Sequence, residues 1–229
     1  MDSPQQPFVK VCGLTSVGHL RAAEALGASY VGLIVEVARS PRSLTREQAR
    51  LMARAAHVPP ALVTTCTEAT EIAALVDAVR PAVVQLHSDA GPALVEAVRR
   101  LTGDVEVWQV VPIPADSPAT DVGRFVAEAQ AAGAAGASKL VVDSARGGQS
   151  GGTGVPADWD TAAAIVEAAG VPVVLAGGLS PGNVAAAIRR VRPAGLDVSS
   201  GVETAPGAKS PRLMMGFFRS VSSVTGARV

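Results

Sequence analysis

Val173-Val174-Leu175-Ala176-Gly177-Gly178-Leu179-Ser180-Pro181-Gly182-Asn183 is the stretch that decides the fold. Four apolar residues make a short buried strand, and the glycine pair breaks it. Ser180 is placed to cap a helix opening at Pro181, whose missing N–H costs nothing in a first turn. Further on, Leu196-Asp197-Val198-Ser199-Ser200-Gly201-Val202-Glu203 repeats the pattern of a short strand ending in small residues. Two adjoining strand ends of this kind offer backbone N–H groups and a helix N-terminus to an anion. Gly177, Gly178, Ser200 and Gly201 are the candidate phosphate contacts. Either end taken alone reads rather as an ordinary strand–helix turn.

Working outward, the same strand–helix unit recurs along the chain. Strands are expected at Phe8–Gly13, Tyr30–Val35, Ala61–Thr65, Ala82–Leu86, Val105–Val111, Lys139–Val142, Val173–Ala176 and Gly195–Val198. Helices are expected at Ser16–Leu26, Thr45–Ala56, Glu68–Val79, Pro92–Leu101, Pro118–Ala132, Asp158–Ala169, Pro181–Val191 and over 210–223. The second opens on a capping box, Thr45-Arg46-Glu47-Gln48. Strict alternation of strand and helix calls for a parallel sheet with helical crossovers. An open doubly wound sheet is the alternative, but Cys12-Gly13-Leu14-Thr15-Ser16 after the first strand is no GxGxxG turn. The fold class is therefore α/β, a single (β/α)8 TIM barrel over 8–229 preceded by a loose polar tail, 1–7. In such a barrel the loops after strands 7 and 8 commonly seat a phosphate.

Composition agrees with this. The chain has 229 residues, 48% of them hydrophobic and only 3% aromatic, which suits buried parallel strands under Ala-rich helices. Formal net charge is zero and basic residues form no cluster, so no nucleic-acid surface is indicated. Cys12 and Cys66 have no CxxC spacing, and His19, His57 and His87 are scattered, so neither a disulfide framework nor a metal site is expected. There is no apolar leader and no uninterrupted apolar run of about 18 residues, so a cytoplasmic protein without membrane contact is expected. A monomer and a homodimer are both compatible with the sequence.

In a barrel, function lies where strand carboxyl ends meet their loops. Few polar residues are placed there: Cys12 after strand 1, Arg42 in the loop after strand 2, Gln85 and His87 about the end of strand 4, Asp143 at the end of strand 6, and Asp197 with Ser199-Ser200 at strand 8. A thiol, a carboxylate and an arginine above a phosphate seat are parts for acid–base chemistry on an anionic sugar phosphate. Taken singly, each has a plainer reading. Cys12 is also a small core residue, Asp143 a loop cap, Arg42 a solvated loop charge and His87 a structural hydrogen-bonding side chain. Asp197 reads either as a contact to a substrate hydroxyl or as an orienter of the phosphate loop. Cys66, His57, Trp108 and Trp159 read as structural.

The chain resembles the phosphoribosylanthranilate isomerase family of tryptophan biosynthesis. The matching pieces are Lys10-Val11-Cys12-Gly13-Leu14-Thr15, Ser40-Pro41-Arg42, Val84-Gln85-Leu86-His87, Val141-Val142-Asp143 with Gly151-Gly152-Thr153-Gly154, Leu175-Ala176-Gly177-Gly178-Leu179 and Asp197-Val198-Ser199-Ser200-Gly201-Val202-Glu203. The resemblance implies an aldose–ketose isomerase that carries out an Amadori rearrangement of a small sugar-phosphate substrate, with no metal or organic cofactor. It also implies Cys12 as general base, Asp143 as general acid and Arg42 on the anthranilate carboxylate. Gln85, His87, Asp197 and Gly152 are further candidate substrate contacts. The acid needs a raised pKa and the base a lowered one. Lys10 shares a strand face with Cys12 but stands one layer lower, so it is not assigned the charge that would lower the thiol.

The chain departs from the family where the aromatic half of the substrate would sit. The family's aromatic stretch after strand 2 is Gly32-Leu33-Ile34-Val35 here, followed by Glu36; after strand 3 stands Leu62-Val63-Thr64-Thr65-Cys66, and Ser88 follows His87. Two alternatives stay open beside the isomerase: a divergent paralogue acting on another phosphoribosyl or sugar-phosphate compound, and a non-catalytic phosphate-binding barrel. The histidine-pathway isomerase pairs two aspartates, which Cys12 argues against. A Schiff-base lyase or aldolase would want a lysine at a strand end, whereas Lys139 starts its strand.

Overall fold

The computed structural model describes residues 6–88, 90–114, 121–143 and 158–226. Eight parallel strands form the barrel: β1 (Phe8–Val11), β2 (Tyr30–Val35), β3 (Pro60–Thr64), β4 (Val83–Leu86), β5 (Glu106–Pro112), β6 (Lys139–Asp143), β7 (Val173–Ala176) and β8 (Gly195–Val198). Each is followed by a helix: α1 (Val17–Ala25), α2 (Arg46–Ala55), α3 (Ala69–Val79), α4 (Gly91–Thr102), α5 (Val122–Ala134), α6 (Trp159–Ala168), α7 (Val184–Val191) and α8 (Pro211–Thr225). Neighbours in sequence pair in space, and β1 pairs with both β2 and β8, Lys10 opposite Tyr30 on one side and Asp197 on the other. That double pairing closes the sheet and excludes the open alternative.

The period of two along each strand divides the core. Residues such as Val9, Val11, Leu33, Leu62, Leu140 and Leu175 face the helices and join one large buried cluster. Ala61, Val83, Trp108, Val110, Val141, Val174 and Ala176 fill the barrel interior with Phe8 and Tyr30. Near the amino ends of the strands the rings of Phe8, Tyr30 and Trp108 pack with centroids 4.9–5.9 Å apart. Lys139 lies there too, 5.0 Å from the Trp108 ring and 2.7 Å from Glu106. An ion-paired lysine on this floor is far from the open end, which removes the Schiff-base reading.

Most expected elements recur within a residue or two. The capping box is present: Thr45 Oγ1 accepts from the Gln48 N–H at 3.2 Å, and Gln48 Oε1 accepts from the Thr45 N–H at 2.9 Å. The start of helix 7 is corrected. Pro181–Asn183 form a turn, with the Asn183 N–H donating to Ser180 O at 3.2 Å, and α7 begins only at Val184. Ser180 therefore caps nothing. Its own N–H donates to Asn183 Oδ1 at 2.8 Å, and Asn183 Nδ2 donates to Gly178 O at 2.9 Å. A proline suits the second position of a turn as well as it suits a first helical turn, so local sequence favoured both.

Two additions were not expected. Ser43–Leu44 adds a short parallel strand beside β2. After β8 comes a single 3₁₀ turn, Ser200–Val202, and then an antiparallel hairpin of Glu203–Ala205 with Ala208–Lys209. The expected starts of helix 5 at Pro118 and of the tail at 1–5 lie outside the described residues.

Candidate active site

The carboxyl ends of the strands open into one pocket. It is lined by Cys12, Ile34, Val37, Ser40, Arg42, Val63, Thr65, Gln85, His87, Asp143, Ala176 to Leu179, Asp197, Ser199 and Ser200. Every sequence-derived candidate among the described residues lines it except Gly201. Gly152 lies outside the described residues.

Cys12 follows β1 and is buried, with its N–H donating to Val198 O at 2.8 Å. Two residues earlier on the same inner face stands Lys10, wholly buried. Its ammonium donates to Asp197 Oδ2 at 2.6 Å and to Gln85 Oε1 at 2.9 Å. Lys10 starts a layer below Cys12, as expected, and its flexible four-carbon stem brings the ammonium to Asp197 and Gln85, from where its charge acts on the thiol. Burial pulls the Lys10 pKa down, but Asp197 and Cys12 more than offset this, and the net shift is upward. For Cys12, burial pushes the thiol up; Lys10 and Lys209 draw it down, Asp197 opposes them, and the net shift is again upward. The free site therefore holds a thiol, against the expected lowering.

Across the pocket, Asp143 closes β6. Burial raises its carboxyl pKa; His87 and Lys10 lower it, Asp197 raises it, and the net direction is up, as a general acid requires. His87 Nε2 stands 3.7 Å from Asp143 Oδ2, and Gln85 Nε2 lies 3.5 Å from His87 Nδ1. Lys10, Gln85, His87 and Asp143 thus form a polar row from the thiol side to the acid side.

Arg42 is nearly buried, and its fork is engaged. Nε donates to Glu203 Oε1 at 2.8 Å and Nη2 to Oε2 at 2.6 Å. Lys209 donates to the same carboxylate at 2.6 Å and to Ser199 O and Oγ at 3.1 and 3.2 Å. This leaves the outer Nη1–Nη2 edge of Arg42 for a ligand. Sequence reasoning placed Ser199 at this end but missed Lys10, Glu203 and Lys209 as site residues. Glu203 stood in a quoted motif, but its link to Arg42 spans 161 positions. Glu36 brings no charge to the pocket: it turns outward onto Arg46, with both bonds at 2.8 Å.

On the phosphate side, Gly177 and Gly178 take φ of 80° and 63°, left-handed conformations that glycine adopts without strain. Gly201 is needed for a different reason. A Cβ there would fall onto the Leu179 carbonyl oxygen, so its bare backbone is what lets the loops after β7 and β8 meet. The opposite wall is aliphatic, built from Ile34, Val37 and Val63. Among the described residues no group of three or more His, Cys, Asp or Glu side chains is placed to hold a metal ion, and no helix is long and apolar enough to cross a membrane.

A (β/α)8 barrel with an acid–base pocket at the carboxyl ends of its strands is the class that this fold and geometry define. A family model described as N-(5'phosphoribosyl)anthranilate (PRA) isomerase matches residues 9–220. The N-(5'-phosphoribosyl)anthranilate isomerase of Haloferax volcanii is 38% identical over 224 residues, covering 96% of this chain and 95% of that one. The solved structure of the Pyrococcus furiosus isomerase superposes with a TM-score of 0.80 at 29% identity, covering 95% of this chain and 100% of that one. A phosphoribosyl anthranilate isomerase solved with reduced 1-(o-carboxyphenylamino)-1-deoxyribulose 5-phosphate gives 0.76 at 26% identity, over 95% and 99%. The chain belongs to the N-(5'-phosphoribosyl)anthranilate isomerase family. Neither the divergent-substrate nor the non-catalytic alternative finds support in these relatives.

Proposed function

We propose that this protein isomerises N-(5'-phosphoribosyl)anthranilate to 1-(o-carboxyphenylamino)-1-deoxyribulose 5-phosphate. The observation that carries the reading is that Asp143, a carboxyl whose pKa burial raises, lines one pocket with Cys12. Asp143 gives its proton to the furanose ring oxygen as the C1′–O bond breaks and the nitrogen lone pair forms C1′=N. Cys12, as thiolate, removes the C2′ proton, and those electrons form C1′=C2′ and neutralise the iminium nitrogen. The resulting enolamine tautomerises to the ketone. The free edge of Arg42 takes the anthranilate carboxylate through two parallel bonds. Gly177, Gly178, Ser200 and Gly201 make up the phosphate seat, Gly201 by letting its two loops close together. Gln85, His87, Asp197 and Gly152 complete the substrate contacts.

The test uses purified protein with freshly generated phosphoribosylanthranilate, followed by the decay of anthranilate-type fluorescence. Wild type turns over; Cys12→Ala and Asp143→Asn lose on the order of 10²–10⁴ in kcat, the usual worth of a positioned acid or base. A folded wild type without turnover would reject anthranilate as the aglycone. The reading carries with it a cytoplasmic protein acting as monomer or homodimer, which light scattering separates.

A further inference from the structure

Lys10 has no part in the steps above, yet it is a wholly buried ammonium in the barrel interior. A methionine would fill similar volume without desolvating a charge, and a buried pair such as Lys10–Asp197 is seldom required for stability. The bonding around it is lopsided. Asp197 spends one oxygen on Lys10, while its other oxygen, Oδ1, is buried with no hydrogen-bond partner among the described residues. Among the described residues, three cations (Lys10, Arg42 and Lys209) stand at this end of the barrel with the carboxylates of Asp197 and Glu203, and of the three only Lys10 lies on the strand that leads into Cys12.

We propose that Lys10 is the positioning residue of the general base: its ammonium is the counter-ion of the Cys12 thiolate, and Asp197 is the clamp that holds it there. The proposal rests on the reading of Cys12 as base. The surroundings of the thiol support it. The charges that act on the thiol are Lys10 from β1, Asp197 from β8, Lys209 from the hairpin and Arg42 from the loop after β2. Asp143 and His87 line the far side of the same pocket. From β2 Gly32 comes close, and a Cβ there would stand 2.7 Å from Sγ. Lys209 and Arg42 share the carboxylate of Glu203, whereas Lys10 stands two residues before Cys12 on the same inner face, held by Asp197. The thiolate is then a minority form whose population is set by Lys10 and restrained by Asp197.

The experiment is alkylation of Cys12 by iodoacetamide as a function of pH in a Cys66→Ser background, where Cys12 is the one remaining thiol. Lys10→Met moves the midpoint of the rate profile to higher pH and slows alkylation at neutral pH by about tenfold or more, since one pH unit is a factor of ten in thiolate. Asp197→Asn moves it the other way, to lower pH. The acid limb of kcat/KM follows each shift. A purely structural role for Lys10 would leave the alkylation midpoint in place. Coincident profiles for Lys10→Met and its parent, or shifts of both variants in one direction, overturn the proposal. Should Lys10→Met not fold, Lys10→Gln decides by the same upward shift of the alkylation midpoint. A wild type that shows these shifts but does not isomerise phosphoribosylanthranilate refutes the functional reading and leaves the Lys10–Cys12 coupling standing.

Discussion

Burial pushes Asp143 and Cys12 the same way, with opposite consequences for an acid and a base. For Asp143 the neutral form is favoured, and this has a cost in stability. Below the unfolded carboxyl pKa of about 3.9 the group is protonated in both states and contributes no difference. As pH rises past that value, the unfolded chain releases its proton while the folded chain resists. Stability is lost until the raised folded value is passed. Asp143→Asn removes the effect. Its urea midpoint should exceed that of wild type by a margin that widens from pH 4 to pH 8; a margin independent of pH would mean that the carboxyl is not perturbed. Cys12 and Asp143 were legible in the sequence because a barrel strand end is a fixed place. The reach of Lys10 was not, because four rotatable methylenes carry a charge further than strand periodicity describes.

At the scale of elements, the hairpin after β8 ties the last loop of the barrel to the loop after β2. Glu203 is held from one side by Arg42 and from the other by Lys209. Burial raises its pKa, but the bonds from both cations prevail and hold the carboxylate below its ordinary range. Glu203→Gln leaves Arg42 and Lys209 facing each other with no anion between them. Breaking a buried pair in this way costs about 3–5 kcal/mol of stability. It also frees the guanidinium to turn, so KM should rise well above wild type while kcat changes little. Steady-state kinetics beside urea unfolding separate these effects, and an equal fall in kcat would place Glu203 in the chemistry itself. The helices and strands around this hairpin were readable from hydrophobic period and caps. The hairpin was not, since Glu203–Ala205 and Ala208–Lys209 are too short to show a period.

The molecule as a whole separates stability from chemistry along the barrel axis. Phe8, Tyr30 and Trp108 close the floor, and the polar groups gather at the mouth. Trp108 is fully buried, with its ring packed on Phe8 and Tyr30, and it meets the site only through its backbone pairing with Gln85. Trp108→Ala should cost about 3–5 kcal/mol in unfolding free energy. At a temperature where the variant is folded, kcat should stay near wild type. A large loss of kcat without loss of stability would show that floor and mouth are coupled.

Sequence by itself determined the eight strand–helix units, their parallel pairing, the capping box of α2 and the ends of strands where Cys12, Asp143 and the Gly177-Gly178 turn fall. These follow from local forces: period, caps, breakers and the short connections of a parallel sheet. Tertiary structure alone decided that Lys10 meets Asp197 and Gln85, that Arg42 meets Glu203, that α7 starts after a turn and that the Cys12 thiol is raised. Those outcomes depend on barrel closure, which brings together residues as far apart as Lys10 and Asp197, 187 positions along the chain. They also depend on the low-dielectric interior that closure creates, where a single charge sets the protonation of its neighbours.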